Sequence, residues 1–203
     1  MELYFFRHGE TDWNVEGRIQ GHVDVPLNDK GRGQARSLVP ILKKLGIQAL
    51  LSSDLCRASE TAELIAKPLG LPVHVSEGLR EVHFGRIQGL NREEMATQFG
   101  FTFARDVMAR TLSDAELVQY GTETSEKVIN RVTHAFIDLL AKHGQGQYQK
   151  LAVVTHGGVI RRLIIQATKD DPFYSAIPNG TLYPMTFSST EKKFQLRNFV
   201  PWG

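Results

Sequence analysis

The stretch MELYFFRHGETDWN, Met1 to Asn14, decides the fold that the sequence predicts. Its apolar run from Leu3 to Phe6 is short and rich in aromatic residues, which favours a buried strand that stops at Arg7 and His8. In open α/β sheets, ligands bind beyond the carboxyl ends of the strands, and Gly9 permits a sharp turn at that point. The stretch therefore predicts a guanidinium and an imidazole at the edge of one crevice.

The stretch LAVVTHGG, Leu151 to Gly158, repeats this arrangement. An apolar run rich in valine leads to His156, and two glycines then open an apolar helical pattern. Because the carboxyl ends of neighbouring parallel strands meet at one edge of a sheet, we expect His8 and His156 to belong to a single site.

Strand and helix patterns alternate along the chain, which favours the α/β class with a mostly parallel β-sheet flanked by helices. No internal repeat, low-complexity tract or long linker interrupts this alternation. We therefore predict a single three-layer domain over residues 1–203, with a variable helical lid at about residues 101–121.

The other elements are predicted from apolar residues at helical spacing and from short apolar runs. The further predicted strands are Gln48–Ser52, Val73–Val75, Leu182–Ser188 and Phe194–Phe199. The predicted helices are Asn28 to about Leu45 with a bend or break at Pro40, a helix capped by Ser53 or Asp54, Asn91–Phe99, Ser125–Lys142 and Gly158–Ala167.

Composition narrows the classes of partner. The net charge of +2 is too small to indicate nucleic acid or an anionic membrane. No apolar run reaches the roughly 18 residues of a membrane span, and Glu2 and Arg7 leave no room for a signal peptide. The single cysteine, Cys56, excludes an internal disulfide, is expected to be buried and fits a reducing compartment. We expect a cytoplasmic protein.

The residue types at the strand ends suit phosphoryl transfer. Imidazole is mostly unprotonated and nucleophilic near neutral pH. The transferring group spreads negative charge over three oxygens, and arginine binds such oxygens with bidentate, charge-assisted hydrogen bonds. We therefore expect His8 to attack phosphorus between Arg7 and Arg57. Arg57 falls in the first turn of a helix, where a cation opposes the helix dipole unless it helps to bind an anion.

The remaining tasks suit three other residues. His156 can donate to a phosphate oxygen, and the N–H group of Gly157 adds the attraction of a helix amino end. Glu81 can protonate the leaving group and then deprotonate the attacking water. The alternatives are a surface role for Glu81 and core roles for the two histidines.

A metal site is the competing interpretation, because the seven histidines of the chain have Glu10, Asp12 and Asp24 as possible partners. Arg7 would repel a divalent cation, and the sequence contains no His-x-x-x-His motif and no carboxylates clustered at the spacing of a metal site. We therefore predict no metal ion and no cofactor.

The chain resembles the histidine phosphatase superfamily, also called the phosphoglycerate mutase-like family, over nearly its full length. The blocks that carry the resemblance are FFRHGETDWN (Phe5–Asn14), RIQGHVDVPLNDKGRGQA (Arg18–Ala35), SSDLCRASETA (Ser52–Ala62), LREVHFGRIQGL (Leu79–Leu90) and VVTHGGVIRRL (Val153–Leu163).

This resemblance implies a role for each matching residue. His8 would be the phosphorylated nucleophile, Glu81 the proton donor, and Arg7, Arg57 and His156 the phosphate-binding residues. Contacts with the phosphoryl group are also implied for Asn14 and Gln20.

One block departs from the family pattern. YGTETSEKVINR, Tyr120 to Arg131, only loosely resembles the Gly-Glu-Ser stretch of the family, because Thr124 stands where serine is usual. Glu123 and Thr124 are therefore left out of the predicted site.

The predicted function is metal-independent hydrolysis of a small phosphorylated metabolite, as in alpha-ribazole phosphatase or the broad-specificity phosphatases. Mutase chemistry of the phosphoglycerate mutase type is the first alternative, because GRIQGLNREEMATQFG, Gly85 to Gly100, is similar to the mutase version of that block. The mutase branch typically carries a longer insertion than the segment from Leu90 to Arg131 allows. A non-catalytic phosphate-binding protein is the second alternative.

Substrate choice is expected to depend on two segments, residues 101–121 and the loop His22 to Asn28, which would shape the pocket. His83 and Arg86 are interpreted either as readers of the leaving group or as surface residues. Exposed edge strands near the C-terminus could pair two copies, so a homo-oligomer is allowed.

Overall fold

The computed structural model describes residues 1–144, 146–169 and 177–197. The chain folds as a six-stranded sheet between two layers of helices, which confirms the predicted α/β class. The strands are β1 (Glu2–Arg7), β2 (Ala49–Ser52), β3 (Val73–Val75), β4 (Lys150–Thr155), β5 (Tyr183–Ser188) and β6 (Lys193–Leu196). The α-helices of the described residues are α1 (Asp12–Val15), α2 (Asp29–Ser37), α3 (Val39–Leu45), α4 (Cys56–Leu69), α5 (Arg92–Phe99), α6 (Phe101–Ala109), α7 (Asp114–Leu117), α8 (Ser125–His143) and α9 (Gly157–Thr168).

The strand order is β3-β2-β4-β1-β5-β6. The first four strands in this order are parallel, whereas β5 runs antiparallel to β1 and β6 antiparallel to β5. The central pair has the register Glu2 opposite Lys150 through to Arg7 opposite Thr155. Both strands therefore end at the same level, which fixes where the residues that follow them lie.

The two faces of the sheet are covered by different helices. Because successive strand residues point to opposite faces, Phe5 packs with Phe136 of α8 while its neighbour Phe6 joins the cluster that contains Ile65 of α4. Leu3, Phe5 and Phe6 of β1 are fully buried, so this strand needs apolar residues on both sides, and its apolar run supplies them.

The helix predicted from Asn28 to about Leu45 is divided, as Pro40 requires. The Asn28 side chain accepts a hydrogen bond from the N–H of Gly31 and caps α2. The chain breaks at Leu38, so Pro40 falls in the first turn of α3, where a missing N–H costs nothing. Gly46 ends this helix in the left-handed conformation.

The prediction that Ser53 or Asp54 caps the following helix is wrong. The N-cap of α4 is Leu55, and the first N–H of the helix, that of Cys56, donates to the carboxylate of Asp24 from another loop. Asp54 instead binds Arg80. Cys56 is half-buried, and burial followed by the Asp24 hydrogen bond raises the pKa of its thiol to about 11.

The remaining predicted elements differ from the observed ones by a few residues, except at the C-terminus. There β6 covers 193–196, while residues 198 and 199 of the predicted strand lie outside the described residues. The segment 101–121 is helical, with α6, α7 and a 3₁₀ turn at Val118–Tyr120. Among the described residues no helix has the length and apolarity that crossing a bilayer demands.

Candidate active site

The two strand-ending histidines meet. His8 directly follows Arg7 of β1, His156 directly follows Thr155 of β4, and these two strand residues form a register pair. The ring centroids of the histidines are 5.1 Å apart, and the residues are 2% and 0% exposed. The predicted juxtaposition of the two imidazoles is therefore present in the fold.

The His8 ring is held in one orientation. Its Nδ1 lies 2.6 Å from the carbonyl oxygen of Gly9, and because a carbonyl only accepts, Nδ1 carries the proton of the neutral ring. Nε2 then keeps its lone pair. Burial, followed by the charges of Arg7 and Arg57, holds the pKa of His8 well below its usual range. The neutral, nucleophilic form is thereby favoured.

The close packing beneath His8 depends on two glycines. A Cβ atom on Gly9 would lie 2.4 Å from the carbonyl oxygen of Gly31, and one on Gly31 would lie 2.1 Å from that of Glu10. The backbone after β1 thus touches the start of α2 directly. The N–H of Gly9 also donates to Thr61 of α4.

The two arginines are tied to neutral acceptors. Arg7 donates to the carbonyl of Ile177, and buried Arg57 donates to those of Gly21 and Val23. The Nε atoms of both side chains have no hydrogen-bond partner among the described residues. Burial lowers the pKa of Arg7 and brings that of Arg57 to about 10. Both groups stay cationic at neutral pH, so their charge favours an anion.

His156 is the amino-terminal cap residue of α9, and neither of its ring nitrogens has a partner within the described part of the chain. Burial, followed by the charges around it, holds its pKa well below the usual range. Two unpartnered nitrogens in a fully buried ring leave a hydrogen-bond requirement that a bound ligand can meet.

Glu81 lies at the amino end of the same helix. One carboxylate oxygen accepts from the N–H of Gly158 at 3.1 Å, and the other accepts from the N–H of Val82 at 2.8 Å. A Cβ atom on Gly158 would lie only 2.5 Å from this carboxylate, so a larger residue there would displace the Glu81 side chain. The acid that the sequence singles out is thus placed against α9 by close contact.

A cavity of about 450 Å³ opens over these groups. It is lined by every predicted site residue except His156, which is buried beside the His8 ring: Arg7, His8, Asn14, Gln20, Arg57, Glu81 and Gly157. Gln20 donates from Nε2 to Thr11, and its Oε1 atom has no partner among the described residues. Asn14 accepts from the N–H of Thr11 through Oδ1, which leaves its amide N–H groups for a ligand.

The segment 101–121 forms one wall of the cavity through Asp106, Val107, Met108, Arg110, Leu112 and Leu117. Residues 22–28 do not line the cavity, and this loop contacts it indirectly, because the carbonyl of Val23 accepts a hydrogen bond from Arg57.

His83 and Arg86 lie outside the cavity lining. His83 packs edge-on against His22, with ring centroids 5.0 Å apart. Arg86 lies over the ring of Tyr120. Of the two interpretations offered for this pair, the structure favours surface residues.

Several residues that line the cavity were not predicted from the sequence. Asn179 donates to the carbonyl of His8, and Arg162 of α9 binds Ser125 and lies 3.8 Å from Asp114 of α7. Trp13 adds an aromatic wall. Two of them carried a signal: Trp13 lies in the first sequence block, and Arg162 lies one helical turn after Gly158. Asn179 belongs to a segment without a recognisable pattern.

The described residues contain no group of three or more histidine, cysteine, aspartate or glutamate side chains that could hold a metal ion. The cavity lining carries more arginines than carboxylates. This donor set suits an anion better than a cation.

A sequence model of the histidine phosphatase superfamily, branch 1, matches residues 3–200. The chain belongs to branch 1 of the histidine phosphatase superfamily. It is 42% identical over 168 residues to phosphoglycerate mutase-like protein 4 of Arabidopsis thaliana, covering 82% of this chain and 70% of that protein. It is 35% identical over 173 residues to a metal-independent phosphoserine phosphatase of the same plant, covering 83% and 69%.

Among solved structures, this histidine phosphatase is similar to the alpha-ribazole phosphatase of Shigella flexneri. The TM-score is 0.75 at 26% identity, over 97% of this chain and 95% of that one. The resemblance inferred from the sequence blocks is confirmed, and the protein is a phosphatase. The residues Arg7 to Gly9, within the first of these sequence blocks, lie where β1 ends in the fold.

Proposed function

We propose that this phosphatase is a metal-independent phosphomonoesterase that hydrolyses a small phosphorylated metabolite through a phosphohistidine on His8. One observation carries the proposal: a neutral imidazole with a free Nε2 lies near Arg7 and Arg57, whose buried Nε atoms are unpartnered among the described residues. A bound phosphate would accept hydrogen bonds from these Nε–H groups and balance the positive charge of the two guanidinium groups.

In the first step, Nε2 of His8 attacks phosphorus and forms the P–N bond as the P–O bond to the leaving group breaks. Arg7, Arg57 and His156 stabilise the negative charge on the equatorial oxygens. Glu81 acts as the general acid: its carboxyl group gives a proton to the departing alkoxide and becomes a carboxylate.

The second step reverses these roles. The Glu81 carboxylate takes a proton from water, the resulting oxygen nucleophile attacks phosphorus, and the P–N bond breaks. The electron pair returns to Nε2, inorganic phosphate leaves, and Glu81 is again protonated. A single carboxyl group therefore serves both steps, and each step leaves atoms and charges balanced.

The cavity volume supports a small metabolite rather than a macromolecule, since pockets for small ligands span roughly 300–1,000 Å³. Its lid-side wall is partly apolar, through Val107, Leu112 and Leu117. We propose that this segment selects the leaving group, while the arginine and histidine cluster binds the phosphate common to all substrates. A cytoplasmic location remains part of the proposal, consistent with the lone Cys56.

The decisive experiment measures hydrolysis of p-nitrophenyl phosphate by purified protein in excess EDTA, for the wild type and for His8→Ala. Activity that resists the chelator and is lost in the variant supports the proposal. The control His134→Ala removes an exposed histidine of α8 and should retain activity. Tight binding of phosphate without turnover of any phosphomonoester would instead favour a non-catalytic phosphate-binding protein.

Mutase chemistry is the second candidate, favoured by the 42% identity to a phosphoglycerate mutase-like protein. It differs in the fate of the phosphohistidine, which would pass its phosphoryl group to a second hydroxyl of a sugar acid rather than to water. Product analysis with 3-phosphoglycerate and a bisphosphate primer separates the two. Inorganic phosphate as the main product supports hydrolysis, and an isomeric phosphoglycerate supports the mutase.

A further inference from the structure

Glu81 is carried by a loop without regular secondary structure, between 3₁₀ turns at Glu77–Leu79 and Gly85–Ile87. A general acid must keep its carboxyl group within hydrogen-bond reach of the leaving oxygen, and small displacements are costly. Something outside this loop has to fix its backbone. The structure supplies such a group in Arg131 of α8.

The Arg131 guanidinium holds the loop at three successive points. Nη1 donates to the carbonyls of Gly78 at 2.8 Å and Arg80 at 2.7 Å, and Nη2 donates to the carbonyl of Glu81 itself at 2.8 Å. These acceptors cover the turn that leads into the acid. Because α8 is a 19-residue helix with its apolar face in the main core, Arg131 is anchored to a rigid element.

Glu123 holds the guanidinium in turn. Its carboxylate accepts from Nε of Arg131 at 2.8 Å and from Nη2 at 2.9 Å, so the pair is bidentate. Burial opposes ionisation of Glu123, yet the hydrogen bonds and charge of Arg131 hold the pKa of its carboxyl below the usual value. The two side chains are only 21% and 15% exposed, which makes the pair stronger than an ordinary surface ion pair.

Glu123 also forms hydrogen bonds with the loop on the C-terminal side of Glu81. Its N–H donates to the carbonyl of His83 at 2.7 Å, and its carboxylate accepts from the N–H of His83 at 3.2 Å. Arg131 therefore fixes residues 78–81 and Glu123 fixes residue 83, with Val82 fully buried between them. The His22 ring adds a contact of 2.6 Å from Nε2 to the Glu81 carbonyl.

We infer that Arg131 and Glu123 are positioning residues for Glu81: they hold the backbone on both sides of the acid so that its carboxyl group faces the leaving oxygen. This inference rests on the proposed function, in which Glu81 protonates that oxygen. Neither Arg131 nor Glu123 is among the residues that line the cavity, so we assign both a role that acts through Glu81. Glu123 was not predicted to belong to the site, and it acts on the site through the backbone of the loop.

The test compares two substrates of nearly equal size, p-nitrophenyl phosphate and p-nitrobenzyl phosphate. The aryl oxide leaves without prior protonation, whereas the benzyl alkoxide needs the acid. The measured quantity is kcat/KM, which reports the steps up to release of the leaving group and is blind to later hydrolysis of the phosphohistidine. The variants are Glu81→Gln, Arg131→Gln and Glu123→Gln, and the control is Glu60→Gln.

Glu60 makes a matched control because it pairs with Arg32 between α2 and α4, away from the cavity lining, and its side chain is 31% exposed. Loss of the acid in Glu81→Gln should lower kcat/KM for the benzyl ester by about 10²–10⁴-fold and for the aryl ester far less. Arg131→Gln and Glu123→Gln should lower the benzyl value by up to about 10²-fold with the same selectivity. Glu60→Gln should change neither substrate.

The combination of outcomes decides both the positioning role of Arg131 and Glu123 and the assignment of Glu81 as the acid. If Glu81→Gln is selective for the benzyl ester but the other two variants lower both substrates equally, or lower neither, the positioning role is overturned while the proposed function stands. If Glu81→Gln itself shows no selectivity, the acid assignment fails and the inference fails with it. Glu123→Gln keeps the positive charge of Arg131, which acts on His156, so an effect of this variant reports the position of the loop and not the loss of that charge. It also replaces Arg131→Gln as the test if that variant does not fold.

Discussion

The ring centroids of His8 and His156 lie 5.1 Å apart because each histidine directly follows one member of a register pair, Arg7 opposite Thr155. Two parallel strands that end at one level deliver both imidazoles to one place. The chemistry proposed for this phosphatase depends on that register, since a slip of one residue would turn a histidine toward the other face of the sheet.

The two buried histidines make stability depend on pH. Their pKa values in the folded protein lie well below the ordinary 6.5, so below pH 6.5 the unfolded chain binds protons that the folded chain does not. Above pH 6.5 both states are neutral and the effect vanishes. Without phosphate, the free energy of unfolding should fall as pH drops below 6.5, by up to about 1.4 kcal/mol per pH unit for each histidine.

Urea unfolding between pH 5 and pH 7.5 checks this dependence. His156→Gln should lose about half of the slope that the two histidines contribute, while His134→Gln, which removes an exposed ring, should keep the wild-type slope. A slope in His156→Gln equal to that of the wild type would contradict the assignment. Added phosphate should weaken the acid destabilisation, since the bound anion favours charged imidazoles.

The glycine contact beneath His8 gives a prediction about packing. Gly31→Ala would place Cβ 2.1 Å from the carbonyl oxygen of Glu10, so overpacking should lower the free energy of unfolding by about 1–3 kcal/mol. Gly33 lies on the same helix, and a Cβ atom added there would meet no atom within 4 Å beyond its own helix backbone and chain neighbours. Gly33→Ala should therefore raise the free energy of unfolding by about 0.5–1 kcal/mol. Equal effects of the two changes in urea unfolding would rule out the close backbone contact.

Arg57 gives a prediction about phosphate affinity. Arg57→Lys keeps a positive charge but loses the planar fork that binds both Gly21 and Val23 and presents Nε. The inhibition constant of inorganic phosphate should rise about 10–100-fold, which corresponds to one charged hydrogen bond. Arg32→Lys, in a pair remote from the cavity, is the control. Unchanged phosphate inhibition in Arg57→Lys would remove Arg57 from the site.

The wall formed by residues 101–121 gives a prediction about selectivity. Leu117→Ala enlarges the cavity at the wall that we propose contacts the leaving group, and it leaves the arginines and histidines proposed to bind phosphate unchanged. The ratio of kcat/KM between aryl phosphates and small alkyl phosphates should change, whereas the inhibition constant of inorganic phosphate should not. Steady-state kinetics on both substrates measures this. A parallel change in phosphate inhibition would argue against separate roles for the segment 101–121 and for the arginine and histidine cluster.

Local signals were enough to predict several residues that the fold brings together in the candidate site. The apolar runs before His8 and His156 define buried strands by composition alone, and Arg57 stands out because a cation opposes a helix amino end. The break at Pro40 follows from the missing N–H of proline. Each of these features is decided within a few residues of sequence.

The errors come from long-range contacts. Asp24 takes the capping task expected of Ser53 or Asp54, because the fold brings its carboxylate to the N–H of Cys56. The positioning pair formed by Glu123 and Arg131 was missed for the same reason, since its backbone acceptors lie about fifty residues away. Neither the hydrophobic periodicity of the sequence nor the secondary-structure propensity of its residues predicts such contacts.

Trapping the covalent intermediate tests the central claim most directly. The protein is mixed with p-nitrophenyl phosphate, quenched in alkali within the first turnover, digested and analysed by mass spectrometry. We predict one added phosphoryl group on the peptide that contains His8, labile to acid and absent in His8→Ala. A phosphoryl group on any other residue, or full hydrolytic activity with no phosphorylated histidine at any quench time, would contradict the account.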